Sequence, residues 1–158
     1  MGLYDYSVGR INLAGAGGFI DITQNAKKVC YCGTFTAKGL EVECRDGKLD
    51  IVKEGSKKKF VKEVEHITFS GYYANKVKQP VLYITERAVF ELREDGVTLI
   101  EIAPGIDLKT QVIDQMEFTP KLADEIRLMD ERIFRDEPMG LKKYKSKGLP
   151  IQAASRKG

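Results

Sequence analysis

Residues 13–33 read LAGAGGFIDITQNAKKVCYCG, and the order of residue types in this stretch sets the fold class. Residues 13–18 form a loop of small residues that no helix or strand tolerates well. Phe19, Ile22, Thr23 and Ala26 then recur at the three- and four-residue spacings of one helical face, which predicts a helix over 19–26. Lys27 and Lys28 follow where cations suit the negative end of a helix, and the apolar run Val29-Cys30-Tyr31-Cys32 ends at Gly33, as a buried strand would. Loop, helix and strand in that order point to an α/β arrangement.

Downstream, two alternating runs at 40–44 and 49–53 flank Arg45-Asp46-Gly47, the signature of a β-hairpin. Three more strand-like runs occupy 81–85, 88–92 and 97–102, with Glu94-Asp95-Gly96 turning the last pair and Pro104-Gly105 closing the series. Residues 55–59 make a basic loop, and 60–69 fit strand or helix equally. Asp107 is an N-cap candidate for a helix carrying Val112, Ile113 and Met116, and a further helix is expected near 122–130. Residues 142–158 hold Gly, Ser, Pro and Lys without a period, so they are expected to form a flexible basic tail after a domain at 1–141.

The chain has 158 residues, 42% hydrophobic and 31% charged, with 15 Gly and 5 Pro, which suits one folded domain and excludes a collagen-like or disordered chain. Twenty-six Lys and Arg against 23 Asp and Glu leave +3, too little to argue for nucleic acid. The charge is uneven: from Arg135 onward seven bases and two acids give +5, and the remainder carries −2. No apolar run approaches the roughly 18 residues of a membrane span, and the first ten residues lack a signal-peptide pattern. Three cysteines form no disulfide framework, so a reducing, cytoplasmic setting is expected.

Gly15-Ala16-Gly17-Gly18 is the strongest local motif for chemistry. Backbone N–H groups before a helix carry partial positive charge, and glycine lets an anion approach them closely. The third glycine of a dinucleotide fingerprint would fall at Ile20, and the GK[ST] of a P-loop is absent. A tight turn before a helix explains the same residues, so the motif by itself leaves both readings open.

A wider resemblance gives the loop a role. GRINLAGAGGFIDITQNAKKV (9–29), CGTFTAKGLEVE (32–43), VKEVEHITFSG (61–71), LYITERAVFEL (82–92), IEIAPGIDL (100–108) and LMDERIFRDEPMGL (128–141) resemble, in order and spacing, the C-terminal part of family I coenzyme A transferases of the propionate or short-chain acyl-CoA:acetate type. The likeness covers residues 10–141. It implies a partial open Rossmann-like α/β domain with β-hairpins. It also implies a relay in which a glutamate attacks an acyl-CoA thioester, an acyl-glutamyl anhydride forms, and CoA returns to give a glutamyl-CoA thioester. By the resemblance, the backbone amides of Ala16, Gly17 and Gly18 face the developing oxyanion and Gly15 to Gly18 line the substrate. Acyl-CoA and a short-chain carboxylate are the implied partners, CoA is a substrate, and neither metal nor nicotinamide, nucleic acid nor membrane is called for.

The chain departs from the family at one point. The family's nucleophile lies in an E-[SN]-G-x-x-G motif upstream of the glycine loop, and the nearest string, Glu94-Asp95-Gly96-Val97-Thr98-Leu99, lacks its last glycine and sits at a predicted hairpin turn. The nucleophile is therefore expected outside these residues, the isolated chain is expected to be inactive, and a chain supplying the missing part, or self-association, is expected to cover an apolar edge. A non-catalytic CoA-binding or interaction module is the alternative. Cys30, Cys32 and Cys44 are expected to pack in the core as small apolar residues rather than bind metal, and His66 to be a half-buried structural side chain. Glu86-Arg87 is expected to form a surface or interchain ion pair, with a contact lining the CoA cleft as the alternative. Lys57, Lys58 and Lys59 fit a solvated loop or a contact to CoA phosphates.

Overall fold

The computed structural model describes residues 2–3, 18–64 and 67–141. In chain order the elements are β1 (Gly2–Leu3), α1 (Phe19–Asn25), β2 (Val29–Cys32), β3 (Thr36–Ala37), β4 (Glu41–Arg45), β5 (Lys48–Lys53), β6 (Lys57–Lys58), β7 (Phe60–Val61), α2 (Gly71–Lys76), β8 (Val81–Ile84), β9 (Ala88–Arg93), β10 (Gly96–Ile102), α3 (Leu108–Gln111) and β11 (Lys121–Leu128). Short 3₁₀ turns lie at Ile113–Gln115 and Glu131–Phe134.

The central sheet has the order β11-β10-β9-β8-β2. Its middle is two antiparallel hairpin steps, β8 to β9 and β9 to β10, and its outer pairs, β2 with β8 and β10 with β11, are parallel. The fold is thus the expected α/β class, with a mixed rather than purely parallel sheet. The two-residue turns dictate the hairpins. In β4–β5, Asp46 and Gly47 both take positive φ, 52° and 77°, which matches the twist of the paired strands. That hairpin docks on the turn at Gly105: Leu49 N donates to the Pro104 carbonyl at 2.8 Å, and a Cβ on Gly105, whose φ is +94°, would lie 2.7 Å from the Leu49 carbonyl oxygen. Only glycine fits there.

The main core joins the sheet to the excursion between β2 and α2. Phe35, Phe60 and Phe90 pack with ring centroids 4.8 to 6.2 Å apart, surrounded by Leu49, Val89, Leu99 and Met116. Each such buried side chain contributes on the order of 1.5–3 kcal/mol. A second cluster of Val29, Ala74 and Val81 seats α2 against β2 and β8. Ser70 caps α2 by accepting from Tyr73 N, and Asp107 caps α3 by accepting from Thr110 N, the expected role for Asp107. The helix that Asp107 starts is one turn of α-helix followed by a 3₁₀ turn, and it buries Val112 and Met116 as the spacing requires.

Four expectations are corrected. Residues 122–130 are not a helix: Leu122, Ile126 and Met129 have helical spacing, yet Leu99 pairs with Leu122 and Ile102 with Leu128, so pairing with β10 overrides the local pattern. The strand Val29–Cys32 is an edge strand in which Val29 alone is buried, and Cys30, Cys32 and Cys44 are all exposed rather than packed in the core. The stretch 55–59 is not simply a solvated loop, because Lys57–Lys58 pair with Thr36–Ala37 and Lys59 is buried. Arg87 forms no surface pair; its side chain is wholly buried within the chain. Of residues 60–69, 60–61 form the two-residue strand β7 and 62–64 and 67–69 are irregular, and α2 after them carries no strong period that would announce it. His66 and the tail at 142–158 lie outside the described residues.

Candidate functional site

At the head of α1, Gly18 takes φ −77° and ψ 3°, and its carbonyl accepts from Ile22 N at 2.9 Å. Gly15, Ala16 and Gly17 lie outside the described residues, so the structure positions only the last member of the motif. The direction of α1 is readable from its contacts. Gln79 Nε2, just before β8, donates to the carbonyls of Thr23 and Ala26 at 2.7 and 2.6 Å, while the Phe19 ring stacks 6.0 Å from Tyr31 toward the far end of β2. α1 therefore runs against β2 and β8, and Gly18 lies at the carboxyl end of these two parallel strands. Crevices of this kind are where open α/β sheets bind ligands.

The loop leaving β2 lies at the same end. Gly33 N donates to the Ile84 carbonyl at 3.0 Å, extending the parallel pairing by one step. Phe35 N donates to Glu86 Oε2 at 2.8 Å, and the Thr36 hydroxyl donates to Glu54 Oε1. Gly55 N donates to the Thr36 hydroxyl oxygen at 3.1 Å, an approach that excludes a side chain: a Cβ on Gly55 would lie 2.5 Å from the Ala37 carbonyl oxygen.

Arg87 ties this platform together. Its side chain is 0% exposed, against 27% for Glu54 and 18% for Glu86. Nη1 and Nη2 donate to the two carboxylate oxygens of Glu54 at 2.6 and 3.1 Å, Nε donates to Glu86 at 2.7 Å, and Nη1 also donates to the Gln111 carbonyl at 3.0 Å. The guanidinium lies 5.0 Å from the Phe35 ring centroid, a cation–π contact in a desolvated setting. Burial raises the Glu54 pKa most strongly, but the hydrogen bonds from Arg87 and Thr36, the Arg87 charge and the Gly55 amide together outweigh it and hold the carboxyl below its usual range. Such a fixed, charged frame sets the path of the 33–37 loop. Four of the five N–H donors of Arg87 are engaged within the chain in this arrangement.

An aromatic group closes the region on the α1 side. Tyr31 packs edge-on to Phe69 at 5.5 Å and stacks on Tyr83 at 5.5 Å. Burial, with a lesser contribution from Tyr31, pushes the Tyr83 phenol up to about 12. Sequence reading missed Glu54 and this aromatic group. The available signal was the Glu86-Arg87 pair interrupting an apolar strand pair, which requires a partner if it turns inward. The hairpin turn Glu94-Asp95 is at the opposite end of β9 from Arg87, consistent with a structural role for Glu94. A polar depression lined by Cys44, Arg45, Asp46, Phe134 and Arg135 lies instead beside the β4–β5 turn.

Among the described residues no helix is long and apolar enough to cross a membrane. No protein-family model matches the chain. It is 56% identical over 128 residues to the acetate CoA-transferase YdiF of Escherichia coli strain K12, covering 81% of this chain and 24% of that protein. It is 53% identical over 129 residues to the caffeate CoA-transferase of Acetobacterium woodii, covering 82% and 24%. Among solved structures, the acyl-CoA transferase YdiF of E. coli O157:H7 superposes as its thioester complex with CoA at TM-score 0.75, over 77% of this chain and 24% of that one, and as the apoenzyme at TM-score 0.77, over 80% and 24%, both at 56% identity. The chain thus spans about a quarter of the length of the relatives it matches.

Proposed function

We infer that this chain, a C-terminal part of a family I CoA-transferase, contributes one wall of an acyl-CoA cleft in an enzyme that moves CoA between short-chain acyl-CoA and a carboxylic acid. The observation that carries this reading is the 56% identity to a transferase whose structure is a thioester complex with CoA. The chemistry is covalent catalysis: a carboxylate nucleophile takes the acyl group from sulfur, CoA displaces it to leave a glutamyl-CoA thioester, and the acceptor acid reverses the steps.

In this scheme the amides of Ala16, Gly17 and Gly18 stabilise the oxyanion of each tetrahedral intermediate. The position of Gly18 at the carboxyl end of β2 and β8 supports that placement. The nucleophilic glutamate comes from outside these 158 residues, since no E-[SN]-G-x-x-G string occurs in them. No metal or nicotinamide enters the relay. Three exposed thiols suit a reducing cytoplasm. The remainder of the cleft comes from a longer polypeptide, a partner chain or a second copy, and the exposed Phe19, Ile20 and Ile22 of α1 support such a contact.

Exchange of labelled acetate into acetyl-CoA tests the reading, with the chain alone and with the chain joined to a segment that carries the E-[SN]-G-x-x-G motif. Exchange only in the joined form is expected. Exchange by the chain alone would refute the external nucleophile, and none in either form would leave the non-catalytic binding module.

A further inference from the structure

Val29 and Tyr31 of β2 turn toward the helices: Val29 packs with Ala74 and Val81, and Tyr31 packs against the same cluster. Side chains alternate along a strand, so Cys30 and Cys32 share the opposite face, and both are exposed. On that face β8 presents Leu82, paired with Cys30, and Ile84, paired with Cys32. Among the described residues β2 is the last strand of its sheet, so the two thiols have a neighbouring strand on one side only.

Residues two apart on one face of a strand lie about 6.6 Å from each other. A disulfide needs Cβ atoms about 3.5–4.5 Å apart, so these two cysteines do not bond to each other while β2 keeps its pairing with β8. A single ion bridges a wider gap. With metal–sulfur bonds of about 2.3 Å, a linear sulfur–metal–sulfur unit spans about 4.6 Å. The two χ1 rotamers common in strands lean side chains along the strand, which lets the thiols close the difference.

The donor set fixes the class of ion. Among the described residues no group of three or more His, Cys, Asp or Glu is placed to hold a metal. Structural zinc takes four ligands, and calcium and magnesium take oxygens, so two sulfurs satisfy neither. Thiolates are soft ligands that select copper(I), whose filled d shell accepts two ligands in a line. Leu82 and Ile84, both half-buried beside the thiols, bring no hard oxygen to compete.

We propose that Cys30 and Cys32 form a two-coordinate site for a soft monovalent cation, copper(I), on the exposed face of β2. Each thiol releases its proton as its metal–sulfur bond forms. One copper(I) and two thiols thus give a bis-thiolate complex and two protons, with no change of oxidation state. The site lies outside the acyl-transfer relay and does not rest on the transferase reading.

The 158-residue chain, reduced and kept under argon, competes for copper(I) with the chromophoric chelator bicinchoninate. The variants are Cys30→Ser, Cys32→Ser and Cys44→Ser, each at an exposed position, with far-UV circular dichroism confirming the fold. Wild type and Cys44→Ser are expected to withdraw one copper per chain. Cys30→Ser and Cys32→Ser are expected to bind at least about a hundredfold more weakly, because losing even an outer partner of a metal ligand costs up to about that much. X-ray absorption of the loaded chain is expected to show two sulfur neighbours and the near-edge pattern of linear copper(I). No copper withdrawn by the native chain, or undiminished binding by either Cys30→Ser or Cys32→Ser, overturns the site. A third sulfur neighbour, one copper shared by two chains on size exclusion, or zinc held as tightly as copper(I) overturns it equally. Acetate exchange plays no part in these readouts, so failure of the transferase reading leaves a positive binding result standing.

Discussion

Replacing Arg87 by Met keeps an unbranched apolar stem, two atoms shorter, and removes the guanidinium and its charge. Four hydrogen bonds disappear, two to Glu54, one to Glu86 and one to the Gln111 carbonyl, and the carboxylates stay in place. Breaking one partner out of a buried pair costs about 3–5 kcal/mol. Glu54 and Glu86 keep 27% and 18% exposure and recover some hydration, so the low end, about 3 kcal/mol, is expected at neutral pH. That is a large part of the stability of an ordinary domain. The pH dependence separates lost charge pairing from lost packing. In the wild type the native Glu54 pKa is depressed, so its stabilisation is fully present above the unfolded value and is lost as pH falls through the native one. Without Arg87, burial again governs Glu54 and its native pKa moves upward. Acid therefore weakens the wild type while relieving the variant, and the difference between them shrinks from neutral pH toward about pH 4. Urea unfolding followed by far-UV circular dichroism at the two pH values measures this. A cost below about 1 kcal/mol at neutral pH, or an equal cost at both, would refute the reasoning.

Three further outcomes are expected. Gly55→Ala places a methyl against the Ala37 backbone and the buried Thr36 hydroxyl, and lowers stability by about 1–3 kcal/mol in the same unfolding assay, whereas Ala at an open surface position is silent. Asp107→Ala removes the acceptor for Thr110 N and costs about 1 kcal/mol, with Asp107→Asn retaining most of it. In an ultraviolet titration of the tyrosines, Tyr83 ionises near pH 12, and Tyr83→Phe deletes a late component of the curve without changing the early ones.

Much of the fold was legible because its decisive signals are local. Asp46-Gly47 demands positive φ at two successive positions, and few structures other than a hairpin supply that. The β8, β9 and β10 runs announce themselves by β-branched and aromatic content, and Asp107 by its capping chemistry. The failures were non-local. Residues 121–128 carry a helix-like spacing, and only the parallel pairing with β10 makes them a strand. Cys30 and Cys32 read as buried because cysteine behaves as a small apolar residue, but among the described residues β2 is the last strand of its sheet.

Sequence alone determined the family likeness, the α/β class, the hairpins and the glycine motif, since these depend on residue type and short spacing. Tertiary structure decided which charges are inside. Glu54, Glu86 and Arg87 look alike in a charged surface and in a buried frame, and 33 positions separate Glu54 from Arg87. Whether a charged side chain costs or contributes free energy depends on the water and partners around it, and those are set only when distant segments meet.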